Sequence, residues 1–280
     1  MTTGIITGMS NGDYHATDAI SNSIISSMAR SPAHCWALHI DPSRPARIAT
    51  PAMMAGTLAH CAILEPEAMQ VRYTTRPAGI DLRTTDGKAW DESVPAGVEV
   101  ITNDQTMTAD RQRLAVMANP EMASLFALGE AEQSAFWRDE GTGLLCKCRP
   151  DWVHPLADGR VMLVDVKTAT DASPQEFSRT VWKYGYHRQA AWYSMGYQQA
   201  TGKEVAGFVF AVVTNAHPFI AAAHMLDDEY FSMGDDECRS LLDIYAECKA
   251  AGKWPAFSGV SLLSPPAWAR TSEEVEIAYV

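Results

Sequence analysis

Between Val161 and Val166 the chain is apolar except for one acid, and two residues beyond that acid stands a lysine, in Val164-Asp165-Val166-Lys167-Thr168. The run reads as a strand. Successive strand side chains alternate faces, so Asp165 and Lys167 point one way while Val164 and Val166 point the other. The acid and the lysine can therefore share one pocket. A second acid, Asp151 in Arg149-Pro150-Asp151, precedes Asp165 by fourteen residues, a separation that suits two neighbouring strands.

With 280 residues, 47% of them hydrophobic, the chain can bury a substantial core, and a single domain spanning 1–280 is expected. No apolar run is long enough to span a membrane, and Met1 to Gly8 lacks the basic and apolar regions of a signal peptide, so a soluble cytoplasmic protein with no membrane partner is expected. The six cysteines form no CxxC pair, which argues against a disulfide framework. Core filling is their expected role. The net charge of −12 counts at first against a nucleic-acid partner, because phosphate is gripped by Lys and Arg. Much of the excess is C-terminal, and the Asp227 to Glu237 run reads as helix-start acids and a solvated face.

Helical signals fill residues 1–128. Ser21 to Met28 is a short helix, Ser31-Pro32 is an N-cap and N1 pair for a second reaching Ile40, and Ala52 to Leu64 is a third. Residues 71–100, rich in Thr, Asp, Gly and Pro, are expected to be one long loop or flap. Helical patterning returns at Thr106 to Ala118 and Pro120 to Leu128. From residue 129 the texture is of strands: Glu132 to Arg138 and Leu144 to Arg149 make a hairpin about Gly141-Thr142-Gly143, followed by Val161 to Val166. Helices begin at Ser173-Pro174 and His187, strands are expected at Ala206 to Val213 and Phe219 to Met225, and a last helix runs from Asp228 to Ala250. The order implies an α/β or α+β fold, a mixed sheet flanked by helices behind a helical N-terminal portion.

Carboxylates that hold Mg2+ or Mn2+ can neutralise a phosphoryl group and make a water nucleophilic at neutral pH, and a nearby ammonium can stabilise developing negative charge. Asp151, Asp165 and Lys167 suit those tasks. By itself an Asp-x-Lys triplet is equally a surface ion pair at a strand end. Beyond it stands Gln189-Ala190-Ala191-Trp192-Tyr193, in which Gln189 and Tyr193 share a helix face.

With a His on a helix (Gly56-Thr57-Leu58-Ala59-His60), a hairpin ending in Asp151, Asp165-x-Lys167 and Gln189-x-x-x-Tyr193 in that order, the chain resembles the RecB-type branch of the PD-(D/E)xK nucleases. Met9-Ser10-Asn11-Gly12-Asp13-Tyr14-His15, Gly56 to Pro66, Cys146 to Asp151 and Ser264 to Ala269 resemble more closely the RecE, or exonuclease VIII, nuclease family and its prophage-encoded relatives. That resemblance implies a restriction-endonuclease-like core and a Mg2+-dependent 5′-to-3′ exonuclease, with Mn2+ able to substitute. It implies action on double-stranded DNA ends that leaves 3′ tails for a RecT-type annealing protein. A ring-shaped homo-oligomer, a trimer or a tetramer, is implied as well.

Carried onto these positions, the resemblance makes Asp151 and Asp165 metal ligands and Lys167 the catalytic lysine. It adds His60 and the Val166 carbonyl to the metal shell, sets Gln189 and Tyr193 at the pocket, and suggests Glu132, on the first hairpin strand, as a further acid. Cys146 and Cys148 share a strand face, but the remaining spacing does not suit an iron-sulfur cluster. No HxxxH or HxH pair supports a separate zinc site. Arg44, Arg47, Arg72, Arg76, Arg83, Lys88, Lys183 and Arg188 are candidates for phosphate contact. Three alternatives stay open: an endonuclease, a single-strand nuclease, and a non-catalytic DNA-binding or recombinase-loading scaffold.

Overall fold

The computed structural model describes residues 3–46 and 48–265. A short strand, β1 (Gly4–Ile6), precedes α1 (Asn11–Ala16), whose N-cap Ser10 accepts the Asp13 amide, and α2 (Asn22–Met28) follows Ser21. Ser31 caps α3 (Pro32–Cys35), which runs on as a π-helical turn to Ile40. The helix expected to reach Ile40 does so, with its last turn widened. Thr50 caps α4 (Pro51–Leu64), and Pro66 opens α5 (Pro66–Arg72).

Residues 71–100 are not one long loop. They hold the end of α5, then β2 (Tyr73–Thr75), α6 (Thr85–Ser93) and β3 (Glu99–Ile101), with β2 and β3 paired in parallel. Strands of three residues are too short to display a period, and the Thr84 cap on the Gly87 amide is a weak local signal. Thr102 and Gln105 form a capping box for α7 (Asn103–Ala118), and Asn119 caps α8 (Pro120–Phe126).

The second half supplies β4 (Glu130–Ala131), β5 (Ser134–Arg138), β6 (Leu145–Cys148), β7 (Trp152–Pro155) and β8 (Val161–Ala169). After them come α9 (Pro174–Tyr184), α10 (Tyr186–Thr201), β9 (Val205–Thr214), β10 (Ala221–Met225) and α11 (Asp228–Ala251). The expected hairpin is β5 with β6, and β1 joins its edge. The main sheet has the order β10-β9-β8-β7-β4, with β8 and β9 parallel and the other pairs antiparallel. This is the mixed sheet flanked by helices read from the sequence. A tight turn cannot join parallel strands, so β8 reaches β9 through α9 and α10.

Both faces of the sheet are covered, and strand alternation sorts the side chains. Val164 and Val166 of β8 join Val209, Ala211 and Val213 of β9 beneath Ile63, Leu64, Val116 and Met122 from α4, α7 and α8. Leu163, Phe208, Phe210 and Val212 face the other way, against Phe177, Val181, Ala190, Trp192, Leu242 and Tyr245 from α9, α10 and α11. Asp165 and Lys167 share the parity of Leu163 and therefore look toward α9 and α10.

Two local devices hold this arrangement. Gly196 lets α10 approach β5 so closely that an added Cβ would fall 2.3 Å from the Trp137 ring, itself buried against Trp192 with centroids 5.1 Å apart. Ala is the better helix former by about 1 kcal/mol, but a locked indole cannot retreat. Gly196→Ala should lower unfolding free energy by about 1–3 kcal/mol, read as an earlier urea midpoint. An unchanged midpoint would contradict the packing described. The other device is a clamp on the N-terminal segment. The buried Lys147 ammonium donates to the carbonyls of Tyr14 (2.6 Å) and Thr17 (2.8 Å). Arg149 donates to Ser134 Oγ and the Met9 carbonyl, and both cations lie over the Tyr14 ring. Among the described residues no helix is long and apolar enough to cross a membrane. All six cysteines are buried and unpaired, as expected of core residues.

Candidate active site

The site forms where β8 outruns its neighbour. Pairing between β7 and β8 ends at Trp152 opposite Val164, whereas β8 stays bonded to β9 as far as Ala169. Side chains take over the bare edge. Asp151, just before β7, accepts the Val166 amide on Oδ2 (2.8 Å). The Val166 carbonyl, expected to face a metal, is bonded here to His60 Nε2 (2.7 Å), which α4 brings in from the other side. A carbonyl can only accept, so Nε2 carries the proton and Nδ1 presents a lone pair. Burial holds the His60 pKa below its usual value, which keeps the ring neutral.

That lone pair lies 3.3 Å from Asp151 Oδ2. Two acceptors face to face need a cation or a proton between them. Burial first, and the Asp165 charge second, push Asp151 well above the usual carboxylate range. Glu132 completes the group: ligand atoms of His60, Glu132 and Asp151 all lie within 4.8 Å of one another. The expectation that Glu132 sits on the hairpin strand is corrected. It lies between β4 and β5 at φ 55°, its amide bonded to the Asp151 carbonyl (3.1 Å). Its pKa rises to about 7 through burial and the charge of Asp151, although Arg149 stands 3.7 Å away.

Asp165, 2% exposed, adjoins this group. Its Oδ1 accepts from Gln189 Nε2 (2.5 Å), while Oδ2 is paired with the Lys167 ammonium 2.5 Å away. The lone-pair nitrogen of His60 facing Asp151 and Glu132, with the buried Asp165 carboxylate alongside, is a donor set that fits a divalent cation. Burial works against the Lys167 charge, but Asp165 and Asp151 outweigh it and raise the lysine pKa above its ordinary value. Lys167 also lies 4.6 Å above the Tyr186 ring.

The family described as a PDDEXK-like domain of unknown function (DUF3799) matches residues 21–261. The chain belongs to it. Among solved structures, a candidate exonuclease from Eubacterium rectale is similar at a TM-score of 0.62 and 15% identity, with 88% of each chain covered. At that identity the likeness is one of fold. An alkaline exonuclease from Laribacter hongkongensis covers 67% of this chain and 98% of its own at 14% identity, with a TM-score of 0.28 that carries no weight. No curated protein matches. The fold is thus that of the PD-(D/E)xK nucleases, and the convergence of Asp151, Asp165 and Lys167 stands at the bare edge of this PDDEXK-like sheet.

Other expected residues of the PDDEXK-like site fall into place unevenly. Tyr193 lies on α10 one turn beyond Gln189, but its ring packs edge-on against Phe208 (6.1 Å) and makes no hydrogen bond to Asp151 or Asp165. Burial raises its pKa well above the ordinary phenol value, so it stays protonated. His187 is buried, 3.4 Å from Glu237 and stacked on Trp182. Of the basic candidates, Arg72, Arg83 and Arg188 are engaged with Glu65, Asp81 and Glu237, so each would have to exchange partners to reach phosphate. Arg47 and residues 266–269 of the C-terminal motif lie outside the described residues. Two contributors were not foreseen: Tyr186 beneath Lys167, and Arg149 beside Glu132. The second had a signal in the sequence, since Arg149 stands two residues before Asp151 in Arg149-Pro150-Asp151 and so on the same strand end.

Proposed function

We propose that this chain is a metal-dependent exodeoxyribonuclease of the RecE kind, acting 5′ to 3′ on double-stranded DNA ends and leaving 3′ tails for a RecT-type annealing partner. One observation carries the reading: His60, Glu132, Asp151, Asp165 and Lys167 meet at the single stretch of β8 that β7 leaves bare. The RecE likeness of the quoted motifs supports the polarity, the partner and a ring-shaped assembly.

His60 Nδ1, Asp151 and Glu132, with Asp165 alongside, would hold Mg2+ or Mn2+, which when bound supplies charge neutralisation and a water activated at neutral pH. The protein's own groups do the rest. Gln189 holds Asp165 Oδ1, fixing the orientation of the other oxygen. Lys167, kept charged by the two acids, orients the attacking water and stabilises charge on the phosphoryl oxygens. Its seat on the Tyr186 ring limits where the ammonium can go. Linear duplex incubated with the protein and Mg2+ should be degraded to nucleotides while covalently closed circular duplex of the same sequence survives. Equal loss of the circle would remove the exonuclease reading and leave an endonuclease.

A further inference from the structure

Aromatic rings run outward from the core at the mouth of the site. Phe210, fully buried on β9, stacks on Tyr186 with centroids 5.6 Å apart and planes at 28°. Tyr186 in turn stacks on Tyr184 at 5.8 Å and 29°. The last ring is 56% exposed, so it does not serve as core filling. Gly185 makes the pair possible. It joins α9 to α10 in a single residue at φ +70°, and an added Cβ would fall 2.0 Å from the Arg188 guanidinium.

The middle ring carries Lys167, whose ammonium is 4.6 Å from the Tyr186 centroid. The outer ring carries Lys183, at 5.1 Å from the Tyr184 centroid. A cation thus lies beside each of the two stacked rings, the inner one paired with Asp165 and the outer one on the exposed side. Aromatic faces next to basic side chains are how proteins hold unpaired bases without reading their sequence.

We infer that Tyr184, supported by Tyr186, is a stacking subsite for an unpaired nucleobase of the strand whose phosphate enters the Asp151, Asp165 and Lys167 pocket. This rests on the nuclease reading above. It makes Tyr184 a positioning residue: the base docks on the ring, and the adjoining phosphate is thereby registered against Lys167. A frayed or single-stranded end is favoured over intact duplex, because only an unpaired base has a free face.

The test uses the full chain in EDTA with a duplex carrying a short single-stranded overhang whose terminal nucleotide is 2-aminopurine. Wild type should bind it with quenched fluorescence, Tyr184→Trp should do the same, and Tyr184→Ala should lose the quench and bind roughly 10- to 100-fold more weakly. An abasic terminal nucleotide should weaken wild type by a similar factor and Tyr184→Ala hardly further. Unchanged thermal melting of Tyr184→Ala confirms that the loss is local. If Tyr184→Ala binds and quenches like wild type, the subsite is refuted, whatever the nuclease assay shows. If wild type shows the stacking signature but releases no nucleotide with Mg2+, the subsite stands and the nuclease reading falls. Absence of any binding by wild type overturns both.

Discussion

Asp165→Asn should lower metal-dependent nucleotide release on the order of 10³-fold while DNA binding persists. The substitution keeps the shape and keeps an oxygen for Gln189 Nε2, but removes the negative charge that faces Lys167 and the cation site. Asp165→Ala should be equally inactive and also less stable. It strands the Lys167 ammonium in a buried position with Asp151 as its remaining acid, and an unpaired buried charge costs about 3–5 kcal/mol. Adding Lys167→Met to Asp165→Ala should return most of that stability and none of the activity. The double variant matters because it separates the two roles: a mere structural ion pair would be restored in full by replacing both partners with apolar groups. Release assays with thermal melts on the three variants decide the point. Activity in Asp165→Asn near the wild-type level would sink the assignment of Asp165.

How far this site was legible depends on the period of each element. Strand alternation alone put Asp165 and Lys167 on one face and Val164 with Val166 on the other, and the sheet bears that out because β8 is long and covered on both sides. Helical spacing likewise set Gln189 on the face of α10 that reaches Asp165. Tyr193, four residues on, shares that face and is half-buried against Phe208, near enough to Asp165 and Asp151 for their charges to help raise its pKa, yet it hydrogen-bonds neither. What escaped was irregular. β7 is four residues ending in Pro155, too short to alternate, and with it went the reason Asp151 can bond the Val166 amide: a neighbour strand that stops. Glu132 read as one position in an alternating strand, but its left-handed backbone turns it out of the ladder. β2, α6 and β3 hid in a Thr-, Gly- and Pro-rich stretch because strands of three residues have no period to read. Contacts between chemically unlike partners, such as Lys167 on Tyr186, exist only once α9, Gly185 and α10 have turned the chain back over β8.

The second large effect lies in the competition between protons and metal at the His60, Glu132 and Asp151 group. Without a cation, burial lifts Asp151 well above the carboxylate range, and burial with the Asp151 charge lifts Glu132 to about 7. His60 moves the opposite way and stays neutral, so it offers Nδ1 at every pH of interest. A divalent ion binds the deprotonated carboxylates, so binding must expel the protons that the raised pKa values retain. The sign follows. Above about 7 Glu132 tends toward its charged form and metal binding strengthens, whereas below it each step down in pH favours the protonated, metal-free state, and the raised pKa of Asp151 acts in the same direction. Mn2+ titrated calorimetrically in two buffers of different ionisation enthalpy should show proton release, and the apparent affinity should fall by up to about tenfold per pH unit as pH drops below 7. His60→Ala should weaken binding at every pH without abolishing the proton release, because the carboxylates that hold the protons remain. Mn2+ affinity that is flat between pH 6 and 8, with no buffer-dependent heat, would mean that the ion does not sit among these three side chains, and the assignment of His60 as a ligand would fail with it.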